Sequence, residues 1–445
     1  MTAAPDQDRS SFKARLRPAV GPALSFGDQI LSSICNFLTT LLLARALGLE
    51  AFGLYTTVWL ALYLAMSLQL GLIVSPMMSI GSQEDEAEAQ AYYTVVFVHQ
   101  AAYVAVAALV IFAVLTFAAA ATALDGAALP GAATAAAYLT QDFLRRYLFA
   151  RRRPAAVLLI DVVNQALKLG TLAILWHAGP IGVAHALWAV AAAAAVSAAC
   201  GLIVSGPFVW KPAVFPAVTR RQWRSARWLV LTGSVQWMLS YSGLLVTAGL
   251  FGPRILGALR VAQSLLAVMN VVREALENVV PPLAGAAFAT AGLPGLRRVL
   301  GRAIGFALLI GVSATLGLVL FGQRLLHLLY GSEILEFDWV IAWYSLIFPM
   351  ALVNLVLGCA FRALERTRPL FLTSLSAACF NLLAVYPAAL IFGVAGLISV
   401  TLLTELITLI VLTVLIARTS GLLSGRGARQ GGRSAGGEAA VVPAP

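Results

Sequence analysis

Charge is scarce in this 445-residue chain, of which only 11% is charged. Ordinary soluble domains are about 25% charged, and here 60% of the residues are hydrophobic, with a mean hydropathy of +0.89. The composition therefore excludes an ordinary soluble fold. What the chain has instead is a series of long apolar runs separated by charged or Gly- and Pro-rich breaks.

Cysteine and catalytic motifs are equally scarce. The four cysteines lack metal-ligand spacing and all fall inside apolar runs, so we predict reduced thiols that pack in the interior. The sequence contains no recognisable nucleophile-base constellation and no phosphate-cradling glycine loop. It therefore predicts no catalytic residue, no metal and no cofactor. The cysteines are Cys35, Cys200, Cys359 and Cys379.

Twelve apolar runs are long enough to cross the hydrocarbon core as helices, which takes about 20 residues. Unpaired backbone groups find no water in a bilayer, so a spanning chain forms helices or a closed barrel, and these runs are too long and too continuously apolar for barrel strands. The sequence predicts an all-α polytopic membrane protein. The predicted spans are 23–44, 52–80, 91–121, 127–149, 155–177, 181–210, 228–251, 255–288, 299–321, 338–361, 369–391 and 394–417.

The net charge of +11 is distributed unevenly between the two sides of the membrane. Twelve spans place both termini on one side, and the segments on that side hold 24 of the 30 Lys and Arg residues. By the positive-inside rule this asymmetry predicts cytoplasmic termini. The basic residues thus indicate topology, and they do not indicate a nucleic-acid partner. Arg145, Arg146 and Arg302, at the cytoplasmic ends of spans 4 and 9, are counted with the cytoplasmic segments, and the basic residues counted within spans are Lys168, Arg260 and Arg273.

Four short stretches recur in the same order in the second half of the chain, with a register shift between 204 and 215 residues. The first match is LGLEAFGLY (47–55) with FGPRILGAL (251–259), which aligns Gly48 with Gly252 and Gly53 with Gly257. The others are Pro76 with Pro281, RRRP (151–154) with RTRP (366–369), and IGVAHAL (181–187) with FGVAGLI (392–398). Matches in this order indicate an internal repeat.

The repeat predicts two lobes of six spans each. We assign an N-lobe to 23–210 and a C-lobe to 228–418, joined by a cytoplasmic linker at 211–227. A basic cytoplasmic tail (1–22) precedes them, and a Gly-, Ala- and Arg-rich tail (419–445), predicted to be disordered, follows them. Equal span numbers give both lobes the same orientation, so we expect a pseudo-two-fold axis along the membrane normal and a substrate site between the lobes.

The chain resembles the polysaccharide transporter family, the lipid-linked oligosaccharide or O-antigen flippase branch of the multidrug/oligosaccharidyl-lipid/polysaccharide exporter superfamily. The resemblance rests on ARALGLEAFGLY (44–55) at the end of the first span, the late proline of the second span, the arginine-proline elements before spans 5 and 11, and 6+6 spans. It implies translocation of an undecaprenyl-pyrophosphate-linked glycan across the bacterial inner membrane by alternating access between two lobes. It also implies a place in the synthesis of lipopolysaccharide or exopolysaccharide.

Polar side chains share one face in three predicted spans. At 100° per residue, those of span 8 occupy one half of the helix over about 25 Å. A charge at mid-bilayer costs at least a few kcal/mol, so such residues normally face the bundle interior or water. Isolated candidates are His99, Asp142 and Glu405. The candidate substrate-binding residues are Arg260, Gln263, Asn270, Arg273, Glu274 and Glu277 in span 8, Asp28 and Asn36 in span 1, and Asp161 and Lys168 in span 5.

Some of these charged residues could either neutralise one another within the protein or contact the substrate. Arg273 and Glu277 lie four residues apart and could form an ion pair, and Asp161 and Lys168 could share an interior network. Arg260 has no acidic residue three or four positions away. Since a guanidinium suits bidentate phosphate recognition, we interpret Arg260 as a pyrophosphate contact.

Two other functions compete with a flippase of surface glycans, and a peptidoglycan lipid flippase is a third option, although such proteins of this superfamily commonly have more than twelve spans. A cation-coupled multidrug exporter of the same superfamily is favoured by Asp28, because an intramembrane carboxylate can carry a proton or sodium ion. A periplasmic glycan polymerase or ligase would need a larger external loop than the longest one here, at about 322–337. The predicted partners are a lipid-linked glycan, the lipid bilayer, a coupling proton or sodium ion, and other proteins of polysaccharide assembly.

Overall fold

The computed structural model describes residues 6–81, 86–119, 124–267, 269–364 and 367–431. Side chains are described between residues 27 and 418 within these ranges, except at 86, 87, 119, 267, 270, 278 and 367. The described residues are overwhelmingly helical, with no strand among them, which confirms the all-α prediction. Residues 82–85, which connect predicted spans 2 and 3, and parts of both tails (1–5 and 432–445), lie outside the described residues.

Twelve α-helices follow one another along the described chain. A π-helical turn at Leu70–Val74 separates the first two, and short 3-10 helices occupy Pro212–Val214 and Leu335–Phe337. The helices are α1 (Asp6–Gln69), α2 (Ser75–Gly81), α3 (Glu86–Ala119), α4 (Ala128–Ala150), α5 (Pro154–Ala178), α6 (Val183–Ser205), α7 (Phe215–Leu250), α8 (Gly252–Ala267), α9 (Asn270–Tyr330), α10 (Asp338–Ser345), α11 (Ile347–Ala363) and α12 (Thr367–Gly431). Helix α12 thus continues into the tail for which the composition predicts disorder.

Eight stretches of the described chain are long and apolar enough to cross a membrane. Three of them, Gly27–Gly81, Val271–Tyr330 and Arg368–Arg418, have 55, 60 and 51 residues, far more than one crossing needs. Each of the three contains a glycine with non-helical backbone angles. Helix α4 is not among the eight, and it carries three charged residues. The chain is therefore a multi-pass membrane protein, and the number of twelve spans stays a prediction.

The described chain forms two compact units. Unit 1 comprises residues 1–268 and 324–338, and unit 2 comprises residues 269–323 and 339–445. Unit 1 thus holds the predicted N-lobe together with α7 and α8. In unit 1, an apolar core joins α3, α4 and α5 around Val96, Leu144 and Ile160. In unit 2, another joins α9 and α11. The predicted lobe boundary at 211–227 stays a prediction.

The repeated glycines Gly48 and Gly252 mark equivalent breaks between helices. Gly48 has φ 73° and interrupts α1, whereas Gly252 has φ 81° and begins α8 directly after α7. Residues with a Cβ atom rarely adopt positive φ, because that atom clashes with the backbone, so glycine is the residue that fits both positions. The first repeat match therefore places a glycine with positive φ at a helix break in each half.

The second pair of repeated glycines brings the two matched segments together inside unit 1. A Cβ atom on Gly53 would overlap the backbone of Pro253, and one on Gly257 would overlap the carbonyl of Leu49. In the repeat, Gly53 aligns with Gly257 and Leu49 aligns with Pro253. The two contacts are therefore reciprocal, as a local two-fold relation between α1 and α8 would require. Small residues that allow backbones to approach closely are a common helix-packing device in membranes.

Helix α7 packs against the π-helical turn that precedes Pro76. Proline lacks a backbone N–H and clashes with the preceding turn, which accounts for a local departure from α-helical bonding. Gln222 of α7 donates a hydrogen bond from Nε2 to the Ile73 carbonyl, at 3.2 Å, and Gly71 lies directly against Val230. This contact fixes α7 beside the second half of α1, where the candidate site lies.

Replacement of Gly53 or Gly257 by alanine should destabilise unit 1. Each new methyl group would meet backbone rather than a movable side chain, and overpacking of this kind costs about 1–3 kcal/mol. We expect a lower thermal unfolding temperature of the purified protein. Gly249→Ala is the matched control, because no atom lies near that position in α7 and alanine favours a helix. Equal stability of the three variants would contradict the close backbone contact.

Candidate functional site

The most deeply buried charges of unit 1 form one cluster centred on Arg145 of α4. Arg145 donates from Nη2 to Asp28 Oδ2 of α1, and from Nε to Asp161 Oδ2 of α5 at 2.5 Å. Gln141 donates from Nε2 to Asp161 Oδ1 at 2.9 Å. Asp28 and Asp161 are only 1% and 3% exposed. We name Asp28, Gln141, Arg145 and Asp161 the arginine-bridged cluster, because one guanidinium joins two carboxylates from different helices.

Lys168 lies on the same helix as Asp161 but has a different partner. Its Nζ donates to Asn36 Oδ1 of α1 at 3.3 Å. Within the described part of the chain, Lys168 and Asp161 form no ion pair. The two residues predicted to share an interior network therefore have separate partners here: Asp161 pairs with Arg145, which the sequence analysis did not place there, and Lys168 with Asn36. Spans 1 and 5 contribute their predicted residues Asp28, Asn36, Asp161 and Lys168 to one region between α1 and α5.

The sequence does not single out Arg145, because a basic residue near the end of span 4 has the pattern of a cytoplasmic charge. It lies four residues after Gln141 and seven after Tyr138, so these three side chains share a face of α4. A helical projection of span 4 would have revealed this face. The neighbouring Arg146 pairs instead with Asp142 at 2.8 Å, which accounts for the isolated candidate Asp142.

Arg260 of α8 has an aromatic partner rather than a carboxylate. Its Nη2 donates to the hydroxyl of Tyr63 at 2.9 Å, and its guanidinium carbon lies 5.7 Å from the centre of the Tyr63 ring. Among the described residues no acidic side chain pairs with Arg260. Its side chain is partly buried, as is that of Gln263 on the same helix. The guanidinium therefore keeps most of its donors available.

Further aromatic side chains are connected to Tyr63 by ring contacts. Tyr63 stacks on Tyr241 of α7, with ring centres 5.0 Å apart and planes 14° apart, and contacts Trp59 at 5.4 Å. Trp59 meets the edge of Tyr138 of α4 at 5.1 Å, and Tyr241 contacts Trp237 at 6.0 Å. These aromatic residues were not among the sequence-based candidates. We name the set Trp59, Tyr63, Tyr138, Trp237, Tyr241 and Arg260 the aromatic–arginine cluster.

The prediction of one continuous polar face along span 8 is wrong. Helix α8 ends at Ala267, Met269 lies in a turn, and α9 begins at Asn270, so the span 8 candidates are divided between two helices that belong to different units. No glycine or proline marks this break in the sequence, which is why it was missed. The side chain of Asn270 lies outside the described residues.

The remaining span 8 candidates belong to unit 2. There Arg273 is exposed, and Glu274 and Glu277 are partly buried on α9. Arg273 and Glu277 form no ion pair in the described residues, so the proposed mutual neutralisation is absent from this structure. Unit 2 also contains a polar contact between α11 and α12, where Asn354 Nδ2 donates to Glu405 Oε2 at 2.7 Å.

Together these features define a class of protein. A multi-pass helical bundle that places charged, amide and aromatic side chains from several helices in its interior is a membrane transporter architecture. The chain belongs to the polysaccharide biosynthesis protein family, whose sequence model matches residues 23–283. This confirms the family resemblance drawn from the repeated motifs. No curated protein matches the sequence.

Solved structures of transporters share the fold. The lipid II flippase MurJ, in an inward closed conformation, matches with a TM-score of 0.69 and 12% identity over 90% of this chain and 87% of that chain. An inward-facing multidrug resistance MATE family transporter of the MOP superfamily matches with a TM-score of 0.66 and 13% identity over 88% and 95%. A mutant of the Vibrio cholerae MATE transporter VcmN gives 0.59 and 17% over 93% and 98%. At these identities the likeness shows the fold alone.

Loss of Arg145 should destabilise unit 1 more than loss of its neighbour. Arg145→Ala leaves two buried carboxylates without their cation, and breaking a buried ion pair in this way costs about 3–5 kcal/mol. Arg146→Ala is the control, because the Arg146–Asp142 pair is more exposed and worth about 1 kcal/mol or less. We expect a lower unfolding temperature for Arg145→Ala, with recovery when Asp28→Asn and Asp161→Asn are added. Equal losses for both arginine variants would contradict the bridging role.

Proposed function

We propose that this protein translocates a polyprenyl-pyrophosphate-linked oligosaccharide from the cytoplasmic to the periplasmic leaflet of the bacterial inner membrane. It would do so by alternating access and without chemical conversion of the substrate. The observation that carries the proposal is the guanidinium of Arg260, which lies within the helices of unit 1 with a tyrosine hydroxyl and ring as its described partners.

The charge state of unit 1 favours an anionic ligand at Arg260. Arg145 is neutralised by two carboxylates, and Lys168 is a buried residue whose ammonium donates to Asn36, so neither cation is available to a ligand. Arg260 is partly exposed and has no described carboxylate partner. A desolvated cation needs an anion or water, and a guanidinium fork matches two phosphate oxygens at once. A pyrophosphate group meets this need, whereas a cationic drug does not.

The family and fold comparisons support the same substrate class. One of the matched structures is described as a lipid II flippase, and the matched family is described by polysaccharide biosynthesis. A lipid-linked glycan combines these two descriptions. The positive-inside asymmetry supports cytoplasmic termini, which would direct transport from the side of glycan synthesis outwards. Other proteins of polysaccharide assembly would then act on the product in the periplasm.

A cation-coupled multidrug exporter is the second candidate, because Asp28 Oδ1 is buried and has no hydrogen-bond partner among the described residues. The other oxygen of Asp28 binds Arg145, which already supplies the cluster with a positive charge. An additional cation at this carboxylate would have to share it with a guanidinium. This competition makes the drug-exporter function the weaker of the two.

Transport activity in proteoliposomes tests the role of Arg260. Undecaprenyl-pyrophosphate-linked oligosaccharide is placed in the inner leaflet, and its arrival outside is followed with a membrane-impermeant glycosidase. Arg260→Ala should lower the initial rate about tenfold or more, because it removes charge-assisted hydrogen bonds to the phosphates. Arg260→Lys should give an intermediate rate, since it keeps the charge but loses the fork.

Arg254→Ala is the matched control on the same helix. Arg254 is exposed and pairs with Glu336 at 2.8 Å, away from the aromatic partners of Arg260, so its loss should leave the rate unchanged. A full rate for Arg260→Ala would overturn the phosphate contact. Extrusion of ethidium by the wild-type protein, with no movement of the glycolipid, would instead support the drug exporter.

Glu405 of unit 2 is our candidate for coupling transport to a proton or sodium ion. It lies within a predicted span, and its described side-chain contact is a neutral amide, Asn354, whose own Oδ1 is buried without a partner. Glu405→Gln should abolish acceleration of transport by an imposed proton or sodium gradient, and Glu405→Asp should retain part of it. Rates measured with and without each gradient decide this point. An unchanged response of Glu405→Gln would exclude Glu405 as the coupling group.

A further inference from the structure

The aromatic–arginine cluster brings together rings from three helices next to a cation. Trp59 and Tyr63 come from α1, Tyr138 from α4, and Trp237 and Tyr241 from α7. Aromatic residues of membrane proteins commonly form belts at the lipid interface. These rings instead contact one another across helices and reach the guanidinium of Arg260. An arginine within a span requires a hydrated or polar surrounding, so this set borders an interior surface of unit 1.

The rings retain free surface and hydrogen-bonding capacity. All five are partly buried, so each still exposes part of its surface. The indole N–H of Trp237 has no hydrogen-bond partner among the described residues, although the nitrogen is buried. A buried donor without a partner costs free energy that a ligand hydroxyl would recover. The surface therefore offers flat apolar faces together with polar groups, a combination found in small-molecule sites.

Sugar rings match this combination of groups. One face of a pyranose presents several C–H bonds, which pack against the electron-rich face of an aromatic ring. Its hydroxyl groups lie around the rim, where they can accept from an indole N–H. In a pyrophosphate-linked glycan the first sugar is bonded directly to the phosphate. A site for that sugar must therefore lie beside the site for the anion.

We propose that the aromatic–arginine cluster binds the pyranose nearest the pyrophosphate, with Trp59 and Trp237 stacking on the sugar while Arg260 binds the phosphate. The proposal rests on the proposed function and adds to it the residues that distinguish a glycosylated lipid from the bare carrier. Tyr55, Trp59 and Tyr63 follow one another at intervals of four residues on α1. Tyr55 is buried, whereas Trp59 and Tyr63 are partly exposed, so the last two present the ligand surface on this face of α1 and Tyr55 supports Trp59 from behind.

Binding of two defined probes in nanodiscs separates the sugar contact from the phosphate contact. The probes are undecaprenyl pyrophosphate and undecaprenyl-pyrophosphate-linked N-acetylglucosamine, and the measured quantity is the ratio of their dissociation constants. Trp59→Leu should reduce the preference for the sugar-bearing probe about tenfold, while leaving affinity for the bare probe within about twofold. Trp237→Leu provides a second variant if Trp59→Leu does not fold, with the same expected direction.

Trp188→Leu is the matched control, because this tryptophan of α6 is 46% exposed and lies outside the cluster. It should leave both dissociation constants unchanged. Arg260→Ala should weaken both probes, and its failure to do so would overturn the phosphate contact of the proposed function alone. If Trp59→Leu and Trp237→Leu keep the wild-type preference, the sugar contact is overturned alone. Equal weakening of both probes by the tryptophan variants would assign these residues to packing and would also overturn the proposal.

Discussion

The cost of an unpaired charge in a low-dielectric interior is the constraint on which the arrangement of unit 1 depends. Asp28 and Asp161 are almost completely buried, and neither could be held ionised there without a cation. Arg145 supplies that cation to both, and in doing so ties α1, α4 and α5 to one point. Breaking either contact would leave a buried carboxylate, so the relative positions of these three helices are fixed by electrostatics as well as by packing.

The same constraint explains why the two interior arginines differ in what they can do. Arg145 has a carboxylate on each side and serves the structure, whereas Arg260 rests on Tyr63 and its described surroundings contain no carboxylate partner. An aromatic ring stabilises a cation by a fraction of what a carboxylate provides, and it leaves the guanidinium donors free. The availability of a cation is therefore set by its partners. The position of an arginine in an apolar run does not show whether its guanidinium is available to a ligand.

The sequence was informative where local chemistry decides the structure. Gly48 and Gly252 could be paired from the matching glycine spacing of the two repeats, and their positive φ explains why glycine recurs there. Apolar runs could be assigned to helices because a bilayer permits little else. Long-range pairing was not accessible in this way. Arg145 reaches Asp28 across 117 positions of the sequence, and a basic residue near the end of a span has the same local pattern whether it faces headgroups or a buried carboxylate.

The break between α8 and α9 and the aromatic–arginine cluster are two further features that the local sequence pattern does not determine. Projection of span 8 assumed one helix, and no glycine or proline near Met269 signalled otherwise. The aromatic residues were visible in the sequence at intervals of four on α1. An aromatic stripe, however, is ambiguous between core packing, an interfacial belt and a ligand surface. Only the contact with Arg260, which comes from a helix some 200 residues later, distinguishes the last of these.

The repeat explains how one pair of equivalent helices came to supply complementary groups. Gly53 and Gly257 keep the second half of α1 and α8 in reciprocal backbone contact, so each of the two helices makes the same backbone contact with the other. The side chains on it have diverged: with the register shift of 204 residues, Trp59 aligns with Gln263, and Arg260 aligns with Thr56. An unchanged copy would have placed two identical surfaces against each other. Divergence on a repeated backbone contact instead sets the rings of Trp59 and Tyr63 on α1 beside the cation of α8, and a glycan joined to a pyrophosphate is the kind of ligand that needs both.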